Sequence, residues 1–161
     1  MNKVTLKKVT DHNFHDVIKM SDTLTDYQKR CVAPNAISIA QAYVNQKRAW
    51  PRVIYLGKQP IGFIMIALWD DDIPVEDRPA YFLWRFMIAK DFQHKGYGKQ
   101  ALDLIVKKCQ KDKVKTLYTS CHIEGEQPYQ FYIHYGFVDT GIFDDGEEVL
   151  KMEIKDDSYH H

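Results

Sequence analysis

Apolar and polar residues alternate over Val4–Val9, with Val4 and Leu6 in phase and Val9 slightly off it, which predicts a first strand. Residues 11–30 read as loop and helix, with Phe14, Val17, Ile18 and Met20 as the apolar positions. Asn35 is placed to cap a helix running to about Arg48, with Ile37, Ala40, Tyr43 and Val44 on one face and Pro51 as its stop. Arg52–Leu56 and Pro60–Leu68 flank Gly57-Lys58 and predict a strand pair around a tight turn. After Pro79, the run Tyr81–Ala89 is almost continuously apolar, the pattern of a central strand buried on both faces. From Lys99 to about Asp112 the period turns helical, with Leu102, Ile105 and Cys109 on a common face. Thr116–Cys121 is strand-like again, and Pro128–Tyr135 suits a short helix entered at proline and stopped by Gly136. Phe137–Phe143 and Glu147–Ile154 flank Asp144-Asp145-Gly146, a hairpin signal. The order β-α-α-β-β-β-α-β-α-β-β predicts an α/β domain around a mixed sheet.

Length and charge narrow this picture. With 161 residues the chain suits one domain, expected over 1–155, and the polar residues 156–161 are expected to form a flexible tail. Lys plus Arg and Asp plus Glu both number 22, which argues against a dedicated nucleic-acid binder. The longest apolar stretch, Ile61 to Trp69, is far short of the roughly 20 residues that cross a bilayer. The opening residues lack the apolar core of a secretory signal. The three cysteines, Cys31, Cys109 and Cys121, have no metal-binding or disulfide-framework spacing. The expectation is a soluble cytoplasmic protein without a membrane partner. The histidines at 12, 15, 94, 122 and 134 lack ligand spacing, so no metal site is expected.

The sharpest chemical signal is Gln93-His94-Lys95-Gly96-Tyr97-Gly98-Lys99, between the apolar strand and the amphipathic helix. Two glycines two residues apart permit a tight bend and close approach of backbone to a ligand. The N–H groups that open the next helix lack intrahelical acceptors and carry the positive end of its dipole. Together they form an anion site suited to a pyrophosphate, to which Lys95 and Lys99 add charge. The segment is neither a Walker A loop nor the Rossmann fingerprint, whose third glycine is missing here.

Strand, Gln-x-x-Gly-x-Gly, helix resembles the acetyl-CoA-binding signature of the GNAT superfamily of N-acetyltransferases. Glu124 to Tyr132, then Tyr135-Gly136-Phe137 and Thr140-Gly141, is similar to that family's last helix and its ending. The resemblance spans about Val4 to Ile154. It implies a mostly antiparallel sheet of six to seven strands, about four flanking helices, and a splayed central strand pair that holds acetyl-CoA. It implies that Gln93, His94, Lys95, Gly96, Tyr97, Gly98 and Lys99 bind the cosubstrate. It further implies that Phe86, Met87 and Ile88 offer main-chain groups to the pantetheine arm, whose amides need partners once they leave water. Tyr132 matches the family's general acid, a phenol able to protonate the departing thiolate.

The general base stays open. Family members often place a carboxylate near the fourth strand, but this chain reads Phe82-Leu83-Trp84-Arg85 there, so His122 and Glu124 are the candidates. The asparagine commonly found near Gly125 is also missing.

Within the superfamily, Pro60-Ile61-Gly62-Phe63 and Arg85-Phe86-Met87-Ile88 resemble bacterial spermine/spermidine acetyltransferases. Asp70, Asp71, Asp72, Glu76 and Asp77 put five acids in eight residues, suited to attracting a polyamine or to forming a solvated acidic loop. Tyr27 is a further acceptor-side candidate, alongside Asp22 and Asp26. The expected partner is a small-molecule amine. Alternatives are an aminoglycoside-like or amino-acid-like amine, a protein amine, and a CoA-binding sensor without catalysis. A homodimer through the apolar C-terminal hairpin is also expected of such a chain.

Overall fold

The computed structural model describes residues 3–123 and 128–156. The chain divides into two compact units, Met1–Ala67 with Trp84–Leu104, and Leu68–Leu83 with Ile105–His161.

In the first unit, β1 (Val4–Lys7), β2 (Ala49–Leu56) and β3 (Gln59–Ala67) form an antiparallel ladder. Gly57 turns β2 into β3 with φ 60°, a conformation glycine adopts without steric cost. The later half of β4 (Ala80–Ile88) follows, tied to β3 where Ala89 N–H donates to the Ile61 carbonyl at 2.8 Å. Three helices belong here: α1 (Phe14–Met20), α2 (Asp26–Cys31) and α3 (Asn35–Val44). Their core joins Val17, Met20, Leu24 and Ala42 to Val53, Phe63, Met65 and Met87. The opening turns of α4 (Tyr97–Lys111) also lie in this unit.

In the second unit, Ala80–Leu83 of β4 pairs in parallel with Thr116–Thr119 of β5 (Thr116–Cys121). β5 pairs antiparallel with β7 (Glu147–Glu153), and β7 with β6 (Val138–Asp144). Asp145 and Gly146, with φ 51° and 82°, make the two-residue hairpin turn that Asp-Gly predicts. Helix α5 (Tyr129–Tyr135) stops at Gly136, whose φ of 131° bars a further helical turn. The strand order among the described residues is β1-β2-β3-β4-β5-β7-β6. Among the described residues this is an α/β, mostly antiparallel sheet of seven strands, within the six to seven expected, with five α-helices where about four are expected.

Expectations for Pro51, α3 and β4 are corrected. Pro51 does not stop a helix: it lies inside β2 opposite Met65, beyond the residues that β1 pairs, where its missing N–H breaks no bond to β1. α3 ends at Val44, and Asn35 is its first residue rather than its cap. The apolar stripe of α3 also faces outward, Tyr43 being 74% and Val44 75% exposed. The inward positions are Asn35, Ser38 and Ala42. Asn35 turns in because its amide donates to the Val17 carbonyl at 2.7 Å, and because small side chains let the helix lie close. Finally, β4 is not buried on both faces, since Trp84, Arg85 and Phe86 are half-buried. Arg85 requires polar partners and reaches Gln41 of α3 at 3.0 Å.

Candidate functional site

The end of β4 leads into the glycine loop within the first unit. Met87's carbonyl and the Ala89 N–H both face β3. Main-chain groups alternate sides along a strand, so those of Phe86 and Ile88 point the other way. The last β4 residue in register with β5 is Leu83, although β4 runs on to Ile88. Of the three residues expected to offer main-chain groups to pantetheine, Phe86 and Ile88 turn theirs away from β3, and the Ile88 carbonyl accepts the Gln93 amide at 2.8 Å. Met87 instead buries its side chain in the core.

Beyond Ile88 a short 3-10 turn over Lys90–Phe92 brings in Gln93. His94 and Gly96 follow with φ of 62° and 85°, and α4 begins at Tyr97. A Cβ placed on Gly96 would meet nothing within 4 Å, so glycine is needed there for its backbone conformation. The N–H groups of Tyr97, Gly98 and Lys99 have no acceptor inside the helix they open. At the mouth of a 15-residue helix they form a cradle for anionic oxygens. His94, Lys95 and Lys99 are exposed around it, and Tyr97 is half-buried. Lys99 also pairs with Asp103 at 3.1 Å, an exposed i,i+4 contact of small energetic weight. These features fit the pyrophosphate of a nucleotide cosubstrate.

Gln93 has a different job from the rest of the loop. Its amide donates to the Ile88 carbonyl at 2.8 Å and pairs with the amide of Gln28 on α2 at 3.1 Å. The side chain therefore sets the path of the loop. Gln28 belongs to none of the chemical motifs, yet the sequence carries a signal for it: Thr25-x-x-Gln28 is a capping box, and both of its bonds form.

Tyr132 lies in the second unit on α5, its ring packed edge-on against Phe131 and Phe137 at 5.5 and 5.3 Å. Burial pushes its phenol above the ordinary value, and the negative character of Cys121 and Glu147 adds to this while the Thr119 hydroxyl opposes it. The group stays protonated throughout the neutral range. Thr119 donates its own hydroxyl to the Leu83 carbonyl at 3.1 Å, which fixes its oxygen.

His122 follows β5 and sits 3.1 Å from the Gly146 carbonyl through Nδ1. A carbonyl only accepts, so Nδ1 carries the hydrogen and the neutral ring keeps its lone pair on Nε2. Glu147 lies 3.8 Å from Nε2 and accepts the Ser120 hydroxyl at 3.0 Å. Glu147 thus acts on both His122 and Tyr132, a role that no spacing in the sequence announces. Glu124 and the Gly125 position lie outside the described residues.

Part of the acidic loop serves the loop itself. Asp70 accepts the Asp72 N–H at 2.9 Å, and Arg78 clamps the carbonyls of Asp71 and Ile73 at 2.8 Å. Asp77 binds the Tyr118 hydroxyl and, at 3.1 Å, Lys151. The carboxylates of Asp71 and Asp72 are exposed. Tyr27, on α2 in the first unit, has the Arg30 guanidinium 5.8 Å over its ring. Among the described residues no group of three or more His, Cys, Asp or Glu is disposed to hold a metal, and no helix is long and apolar enough to cross a membrane.

A sequence profile of the acetyltransferase (GNAT) family matches residues 18–137. No curated protein matches the chain. Among solved structures, a GNAT family acetyltransferase from Elizabethkingia anophelis with acetyl-CoA bound is similar with a TM-score of 0.66 at 16% identity, over 94% of this chain and 97% of that one. The PaiA N-acetyltransferase from Thermoplasma acidophilum in complex with coenzyme A gives 0.66 at 15% identity, over 94% and 99%. An acetyltransferase from Thermus thermophilus gives 0.67 at 20% identity, over 95% and 99%.

Proposed function

The chain belongs to the acetyltransferase (GNAT) family and is an acetyl-CoA-dependent acetyltransferase, and we propose that it acetylates a small primary amine by direct attack, with Tyr132 as the general acid. In this reading 1–155 is one catalytic domain. Residues 93–99 and the opening of α4 bind the pyrophosphate, and Phe86 and Ile88 offer main-chain groups to pantetheine. The cosubstrate supplies an activated acyl carbon on a thioester. Tyr132 protonates the sulfur as the amine displaces it, and His122 takes the surplus proton of the amine. Glu147 steadies the imidazolium that results.

The observation that supports this best is the state of Tyr132. Burial keeps the phenol protonated throughout the neutral range, the state from which a general acid donates to the departing thiolate. The test is Tyr132→Phe. Acetyl-CoA affinity is expected to hold while kcat falls by roughly 10²–10⁴. Unchanged turnover across pH would remove Tyr132 from the chemistry.

The polyamine is the amine class the exposed Asp71 and Asp72 favour, because two carboxylates attract a polycation and repel anions. CoA release is to be measured with spermine, spermidine, putrescine, lysine and an aminoglycoside. Saturable turnover of polyamines, with KM raised by Asp71→Asn and Asp72→Asn, supports it. Turnover of the other amines alone discards it, and binding of acetyl-CoA with no turnover of any acceptor favours the sensor. A homodimer through β6 completes the reading, since Val138, Ile142 and Phe143 expose apolar side chains on that strand.

A further inference from the structure

Helix α2 has six residues, none of them buried, so neither its length nor its own packing fixes it. Leu24 before it and Val32 after it reach the core, while α2 itself is held by polar contacts. Those contacts converge on the glycine loop. The Lys90 N–H donates to Thr23 Oγ1 at 3.0 Å. Gln28 Nε2 donates to Gln93 Oε1 at 3.1 Å, and Gln93 Nε2 lies 3.4 Å from Gln28 Oε1 while bonding the Ile88 carbonyl at 2.8 Å. Gln28 Oε1 also accepts the Thr25 N–H at 3.0 Å, so one amide both caps α2 and grips the loop.

We infer that Gln28 is a positioning residue for the acetyl-CoA loop. It holds the Gln93 amide in the orientation that pins the end of β4, and it makes α2 and the loop one cooperative piece. An amide can rotate about its last bond. Without Gln28 the Gln93 oxygen loses its donor on α2, and the single bond from Gln93 Nε2 to the Ile88 carbonyl is left to orient the amide. Binding at the loop is then linked to the order of α2, and by reciprocity whatever orders α2 strengthens binding at the loop. This inference rests on the acetyl-CoA reading of the loop.

The experiment compares acetyl-CoA affinity by calorimetry for wild type, Gln28→Met, Gln93→Met, the double variant and Thr25→Val. Methionine keeps the length of glutamine without its hydrogen bonds and adds no charge beside an anionic ligand. Thr25→Val weakens the cap alone. Losing a hydrogen bond worth about 0.5–1.5 kcal/mol corresponds to a Kd raised about two- to twelvefold in Gln28→Met. Gln93→Met should lose at least as much, and the double variant no more than Gln93→Met, because Gln28 acts through Gln93. Thr25→Val, which loosens α2 but leaves the Gln28–Gln93 pair, should raise the Kd by less than Gln28→Met does. Hydrogen exchange supplies a second readout: acetyl-CoA should slow the amides of α2 in wild type and not in Gln28→Met. The inference is overturned if Gln28→Met binds like wild type, if the two single effects multiply, or if Thr25→Val weakens binding as much as Gln28→Met. A wild type that binds no acetyl-CoA overturns the proposed function and this inference with it. A wild type that binds while Gln28→Met matches it overturns this inference alone.

Discussion

Gly62 offers the most direct test of how β3 and β4 are packed. It is fully enclosed in β3 opposite Ile54, beside the register shift between Ile54 and Tyr55. A Cβ at this position would lie 2.5 Å from the Met87 carbonyl oxygen, 3.0 Å from Ile88 Cδ1 and 3.1 Å from Ile54 Cδ1. The two methyl groups can rotate away, but the carbonyl is backbone and must retreat by several tenths of an ångström. Overpacking of this kind costs about 1–3 kcal/mol. Retreat of β4 also strains the Ala89–Ile61 hydrogen bond of 2.8 Å, worth about 0.5–1.5 kcal/mol. Against these stands a gain of about 0.4–1 kcal/mol from restricting the unfolded chain. Together these span about 0.5–4 kcal/mol with a centre near 2, so Gly62→Ala should lose about 2 kcal/mol, which for a chain of this size lowers Tm by about 4–8 °C. Thermal unfolding monitored by circular dichroism reads the shift, and urea denaturation checks it through the midpoint at unchanged slope. The loss should persist at similar size in an Ile54→Val/Ile88→Val background, because the carbonyl is unaffected by trimming the methyls. A Tm at or above wild type, or full relief in that background, would refute the backbone clash. The same shift disturbs the stretch proposed for pantetheine, so the acetyl-CoA Kd should rise in parallel.

Other outcomes follow from the same structure. Cys109 and Cys121 are buried, and burial first, then Asp112, pushes the Cys109 thiol up to about 12; a thiol reagent on the native protein should therefore modify only the half-buried Cys31, and fast loss of a second thiol would contradict this. The Tyr118 hydroxyl and Lys151 hold Asp77 below the usual carboxylate range, as Tyr81 and Lys108 do Asp112. A lowered folded pKa stabilises above the unfolded value near about 4 and is lost as pH falls through the folded one. Asp77→Asn should accordingly flatten the fall of Tm on acidification. Burial raises Tyr81, Tyr118 and Tyr132, so their contribution is present below about pH 10 and lost above it, giving an alkaline limb that Tyr118→Phe should reduce. If β6 carries a dimer interface, Phe143→Asp should yield a monomer by light scattering without loss of fold; a wild-type monomer at high concentration would discard the homodimer.

Features dictated by neighbours along the chain are legible in the residues themselves. The Asp145-Gly146 turn follows from two residues that tolerate positive φ, and the stop of α5 from Gly136. The burial of Leu102, Ile105 and Cys109 on α4 follows from helical spacing. The glycine loop and the helix that opens behind it belong to the same class, because an anion cradle is built from consecutive backbone groups. Tertiary structure decided what depends on partners far apart in sequence. It turned the polar side of α3 inward, since Asn35 finds the Val17 carbonyl 18 residues away. It admitted Pro51 to a strand because β1 ends before reaching it. It set Gln93 on Gln28 across 65 residues and placed Glu147 beside His122. Periodicity reports which positions share a face, but a hydrogen bond between distant segments depends on where the whole chain has brought its donor and acceptor.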